Sequence, residues 1–187
     1  MRLSTKPARV LAPMAAIALA FTIGGCEKKV DVKNETVSGV AKKVADANLH
    51  FNPGRWESTV KFTKIDMEGV PPQAKAMMEK VMAKDRTFSS CLTKEEAEKP
   101  DGKFFGQADD RCKYDSFTMG GGKIDAKMTC KAEQGGQQVM TMNGDYTPDS
   151  YTMTMAVAGK GMNGRSMNMT MAVSAKHAGA CTGKEAT

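Results

Sequence analysis

The sequence predicts a mainly β fold, an antiparallel meander forming a curled sheet or a small barrel. A short helix is expected between its first two strands, and a tether ahead of them. Three observations carry this prediction. Short segments of alternating apolar and polar residues fill the second half of the chain, divided by turns rich in Gly and Pro. Cys112 and Cys130 flank the triplet Gly120-Gly121-Gly122 at equal distances, as the two arms of a hairpin would. Helical spacing of apolar residues is confined to short stretches. The chain of 187 residues has room for one domain with a tail, and 41% hydrophobic residues is a globular composition.

The elements follow in order. Arg2, Lys6 and Arg9 precede an uncharged run from Val10 to Ile23. A basic start, a short apolar run and then small residues predict a secretory signal over residues 1–25. The run is short for a membrane span and Pro13 interrupts it. It ends in Ile23-Gly24-Gly25-Cys26, which resembles a bacterial lipobox. That resemblance implies lipidation of Cys26 and cleavage before it, and no Ala-x-Ala cleavage ending competes. Three acyl chains exceed the two signals that stable anchoring needs. Glu27 follows the cysteine where Asp would imply inner-membrane retention. The expected location is therefore the outer membrane of a Gram-negative envelope, facing the periplasm. Loss of the three basic signal residues lowers the net charge from +6 to +3. No basic stripe with interleaved aromatics remains, so nucleic acid is not an expected partner.

Residues 26–50 are polar and charged and are expected to space the domain from the bilayer. Val37, Val40, Ala41, Val44 and Ala47 recur at helical spacing, so the tether is either part helical or disordered. The domain proper is expected over residues 51–181, with a tail at 182–187. Trp56 to Ile65 alternates as a first strand. Pro71-Pro72 opens a helix over residues 73–84, whose apolar face is Ala74, Met77, Met78 and Val81. Arg86 to Leu92 is a short strand, and Thr93 to Glu96 is a capping-box pattern for a brief helix. The Cys112–Cys130 hairpin follows. Strands are then expected over 138–146, 151–158 and 166–175, with Thr147-Pro148-Asp149-Ser150 as a turn.

Apart from Cys26 the exported chain has four cysteines, an even number that predicts two disulfides. A hairpin centred on Gly121 sets Cys112 opposite Cys130, within bridging range. Cys91 is then left to pair with Cys181. Zinc is a poor alternative, because the chain has no CxxC and only two His.

The sequence Pro53-Gly54-Arg55-Trp56-Glu57 is similar to a PGxWE opening, and Cys91-Leu92-Thr93 with Glu95, Glu96 and Ala97 to a CLTxEEA segment. With the later cysteines and the Met-Thr-Met strands around Tyr146 and Tyr151, the order resembles the bacterial domain of unknown function family 3617, over about residues 34–181. Members are often exported lipoproteins. The resemblance implies an exported β-rich domain and brings no catalytic or binding residue with it.

Methionine is the chemical signal that remains. Met140 and Met142, Met153 and Met155, and Met167, Met169 and Met171 recur at period two, so each set lies on one face of its strand. The turn at 147–150 sets Tyr146 opposite Tyr151 and Met142 opposite Met155. A loop centred on Met162 would set Met155 opposite Met169 and Met153 opposite Met171. The other face carries Thr141, Asn143, Thr152, Thr154, Asn168 and Thr170.

This Met face is read first as a core or an adaptable apolar pocket, since unbranched thioethers fill irregular gaps. The alternative is a Cu(I) or Ag(I) site, because soft sulfur selects soft monovalent metal. Met142, Met155 and Met169 are the expected cluster for either. An oxidant sink is a third use, and needs exposed sulfur. Enzyme signatures are absent: there is no phosphate loop, GxSxG or HExxH. His50 and His177 are expected to be solvated, Asp109-Asp110 to face water and Trp56 to anchor the core. The expected role is non-enzymatic, binding an apolar ligand or an envelope protein, with no obligatory cofactor.

Overall fold

The computed structural model describes residues 28–99, 111–131, 136–160 and 164–185. The signal segment, Cys26, Asp109-Asp110 and Met162 lie outside them. Eight strands and three helices follow one another as β1 (Lys29–Thr36), α1 (Val37–Asp46), β2 (Gly54–Met67), α2 (Pro72–Met82), β3 (Arg86–Leu92), α3 (Lys94–Glu98), β4 (Cys112–Gly120), β5 (Lys123–Lys131), β6 (Gln137–Thr147), β7 (Ser150–Lys160) and β8 (Ser166–His177). All strands join one antiparallel sheet in the order β1-β4-β5-β6-β7-β8-β2-β3. From β4 to β8 this is the expected meander. The sheet is open, with β1 and β3 as its edges, so the small barrel is the alternative that does not form.

The expected tether is corrected. Residues 29–36 pair along β4, from Lys29 opposite Gly120 to Thr36 opposite Lys113. Polar alternation hid this strand, because an edge strand buries little: Val30 is buried and Val32 half-buried, while most of its other residues stay exposed. The helix that follows is capped by Thr36, whose hydroxyl accepts from the Gly39 N–H at 3.0 Å. Val37, Val40, Ala41 and Val44 form its buried stripe, and it packs on β1 and β4. The strand expected as the first is therefore the second.

Turn chemistry matches the sequence. Pro72 starts α2, and Thr93 and Glu96 form a complete capping box on α3. Tyr146 stands opposite Tyr151, and Thr147 opposite Ser150. Gly144 has no room for a side chain against β7, since a Cβ there would stand 2.1 Å from the Thr152 carbonyl oxygen. Disulfides join Cys91 to Cys181 and Cys112 to Cys130, with Cα separations of 5.6 and 4.0 Å.

The β4–β5 register shows how the second bridge comes about. Its turn is Gly121-Gly122, centred half a residue beyond the Gly121 centre read from the sequence, and Gly120 faces Lys123. A bulge at Asp115 absorbs the offset, so Cys112 still meets Cys130.

One apolar face holds the core. Its fully covered part is Val30, Tyr114, Phe117, Met119, Ile124, Ala126, Met128 and Met142, together with the α1 stripe. Phe117 is wholly buried and packs edge-on against Tyr114, with ring centroids 5.3 Å apart. Val81 on α2 is 61% exposed. Phe117→Ala is expected to cost about 3–5 kcal/mol, and Val81→Ala less than about 0.5 kcal/mol. Denaturant midpoints of the two variants would check this contrast.

Candidate functional site: the methionine face

The apolar face can be followed in rows across the sheet, because antiparallel neighbours stand opposite one another. One row runs Val32, Phe117, Ala126, Met142, Met155, Met171, Phe62. The next runs Tyr114, Met128, Met140, Val157, Met169, Ile65. A third passes through Met119, Ile124, Gly144, Met153, Val173 and Val60. Neighbouring strands are about 4.8 Å apart, so side chains within a row touch. Thr141, Asn143, Thr152, Thr154 and Asn168 lie exposed on the reverse face, and Thr170 is partly covered there.

The register between β7 and β8 differs from the expectation. Met155 faces Met171, Met153 faces Val173, and Met169 faces Val157. The strands end on the pair Lys160 and Ser166, which centres the connection on residue 163 rather than 162. A shift of two residues leaves every side chain on its own face, so periodicity cannot choose between the registers. Pairing of β8 to β2 is the further constraint, with Met171 on Phe62, Met169 on Ile65 and Met167 on Met67. The thioethers brought together are Met142, Met155 and Met171, not Met142, Met155 and Met169.

Cover divides this face in two. In the buried cluster that includes the α1 stripe, Met119 is 1%, Met128 4% and Met142 5% exposed. Met140, Met153, Met155, Met167, Met169 and Met171 are only partly covered, as are Phe62 and Ile65. The helix α1 lies on β1 and β4, and α2 leans on β2, where Ile65, Met67, Val70 and Met78 line a shallow recess. Exposed Met77 and Val81 on α2, and Phe88 on β3, extend the apolar surface toward that edge. The Arg86 guanidinium stands over the Phe62 ring, 5.9 Å from its centroid.

Phe51 closes one end of the face, a role the sequence did not signal. Its ring lies 5.5 Å from Trp56, 5.6 Å from Tyr151 and 5.9 Å from Tyr146. Trp56 is the expected core anchor and donates its indole N–H to the Asn52 carbonyl at 2.9 Å. Tyr151 is hydrogen-bonded to buried Ser58.

With that geometry in view, the family model "Protein of unknown function (DUF3617)" matches residues 51–181. The chain belongs to the DUF3617 family. No curated protein and no solved structure matches it. In this DUF3617 chain β1 and α1 lie ahead of the matched region, yet β1 pairs with β4 and α1 packs on it, the first strand of the matched meander.

The histidines separate. His50 is exposed as expected. His177 is only partly solvated: its ring packs against Trp56, with Nε2 3.1 Å from the Pro53 carbonyl and Nδ1 3.8 Å from the Asp149 carboxylate. Its Nε2 thus engages a backbone carbonyl rather than a serine or cysteine nucleophile. Among the described residues, no three His, Cys, Asp or Glu side chains cluster as metal ligands.

The covered half carries one unusual group. Tyr114 is fully buried, and its hydroxyl has no hydrogen-bond partner among the described residues. Burial pushes its phenol up to about 12. The folded state therefore holds the proton more tightly than the unfolded chain. That stability is complete below pH 10 and is lost as pH rises toward 12. Tyr114→Phe is expected to leave stability unchanged or raise it by about 1 kcal/mol at pH 8. Its advantage should grow by about 1.4 kcal/mol per pH unit between pH 10 and 12. Guanidinium unfolding of both proteins at pH 8 and 11 measures the difference.

Proposed function

We propose that this protein is a non-enzymatic binding module of the cell envelope. It is held at the periplasmic face of the outer membrane by lipid on Cys26, and takes an apolar ligand on the open half of its methionine face. One observation carries the proposal: six methionines, Phe62 and Ile65 share a single face, yet stay partly exposed, outside the buried cluster that includes the α1 stripe. A sheet that needed only a core would bury them as it buries Met119 and Met128. Flexible thioethers suit a ligand of variable shape. The Ile23-Gly24-Gly25-Cys26 ending supports the anchor.

The test uses the chain from Lys28 onward, which holds every described element. A fluorescent fatty acid is expected to bind with an apparent Kd in the micromolar range. Met155→Glu and Met171→Glu, on the open half, should each weaken binding at least about tenfold, as an unpaired charge placed in an apolar site would. A charge at exposed Thr152, on the reverse face, should leave it unchanged. Equal affinity in all three variants would refute the site.

A second reading has its own support. Met142, Met155 and Met171 stand side by side on three adjacent strands, a soft donor set for Cu(I) or Ag(I). Anaerobic Cu(I) titration followed by native mass spectrometry tests it. One ion retained against a chelator, and lost in Met→Leu variants at these three positions, would favour metal over the apolar ligand.

A further inference from the structure

We infer that one end of the sheet is the surface on which the domain meets the bilayer. This is the end formed by Lys28, Lys29 and the β4–β5 and β6–β7 turns, and it meets phospholipid headgroups directly, with no spacer. The inference rests on lipidation of Cys26 and goes beyond it to orientation.

From Cys26 to Lys29 there are three residue steps, which span at most about 11 Å when fully extended. Lys29 is already the first residue of β1, paired to Gly120. The approach there is close: a Cβ on Gly120 would stand 2.9 Å from the Lys29 Cα and 3.0 Å from the Lys28 carbonyl oxygen. The anchored end of the chain is thus seated on the β4–β5 turn. A disordered tether of about 24 residues would instead wander about 25–30 Å from its anchor.

Other segments share this end. The Tyr146 N–H donates to the Gly122 carbonyl, and the Asn52 N–H to the Pro148 carbonyl. Lys28, Lys29, Gly121, Lys123 and Pro148 are all exposed here, with the carboxylates of Asp145 and Asp149 beside them. Lys29 pairs with Asp31 and Lys123 with Asp145, but exposed pairs of this kind are weak and exchange readily for headgroup phosphate. The long β1 edge is the other surface within reach of the anchor. Its charges alternate as Lys29, Asp31, Lys33 and Glu35 and cancel, with Glu35 also paired to Lys43, so it offers anionic headgroups no concentrated positive charge.

End-on seating has a consequence for the methionine face. The strands run away from the bilayer, and β7 with 11 residues spans about 35 Å. Met167, Met169, α2 and Arg165 lie toward the far end, so this part of the open face is entered from the periplasm rather than from the leaflet.

The test uses full-length acylated protein in vesicles of phosphatidylethanolamine and phosphatidylglycerol, doped with a lipid carrying a nitroxide on its headgroup. A fluorophore is attached through a genetically encoded azide at Lys123, Ser38 or Arg165, which leaves both disulfides intact. Quenching at Lys123 is expected to exceed that at the other two by about threefold or more, a short link being set against a strand length. A Gly/Ser spacer of about 20 residues between Glu27 and Lys28 should abolish the difference. Equal quenching at Lys123 and Ser38 would mean that the β1 edge lies on the membrane, and equal or stronger quenching at Arg165 would invert the domain. Either result overturns the inference while the anchor stands. Intact mass of the extracted protein separates the two premises, because an unacylated Cys26 would remove the anchor and the orientation together.

Discussion

A β-strand alternates its side chains strictly, so an unabsorbed one-residue slip would turn a strand's whole apolar set into water. Eight strands share one apolar face here, and everything else depends on keeping that face continuous. Two bulges do this. In β2, Thr63 is the extra residue. Phe62 and Ile65 both stay on the apolar side, while Thr63 and Lys64 face solvent. In β4, Asp115 is the extra residue, and Tyr114 and Phe117 both stay inside. Each bulge costs a local break in the ladder and keeps two large side chains on the apolar face.

The same face explains why the N-terminal segment belongs to the fold. Without β1 and α1, the edge of β4 would be unpaired, and Tyr114, Phe117 and Met119 would lose their cover. The segment buries Val30, Val37, Val40 and Val44 in exchange. Beyond α1 the chain crosses to β2, where Phe51 closes the aromatic end against Trp56, Tyr146 and Tyr151. The long bridge from Cys91 to Cys181 ties the edge strand β3 to the segment after β8. Cover is thus concentrated on β1, β4, β5 and the aromatic end, and the methionines of β7 and β8 are left partly open. This partly open, thioether-lined surface is what the proposed binding role rests on.

Most of the meander was legible in the residues. Alternation located β2 and β4–β8 to within a few residues, and Gly and Pro marked most of the turns. Thr93 with Glu96 announced α3. The cysteine hairpin was found, although its turn centre is displaced and a bulge restores the pair. What escaped had a physical reason in each case. β1 reads as polar because an edge strand needs few buried side chains. Phe51 sits in a connection, where no periodicity exists to reveal it. His177 gained its Trp56 and Pro53 contacts only from the return of β8 alongside β2.

By itself the sequence determined the fold class, the two faces of each strand and the methionine character of the apolar face. These follow from local periodicity and from turns that fix the register of residues close in the chain. Only the tertiary structure decided that the sheet stays open, that residues 29–46 complete it, and which methionines stand together. Registers two residues apart bury the same side chains, so the choice of Met171 over Met169 beside Met155 is invisible in a single strand. It belongs to β6, β7, β8 and β2 pairing at once.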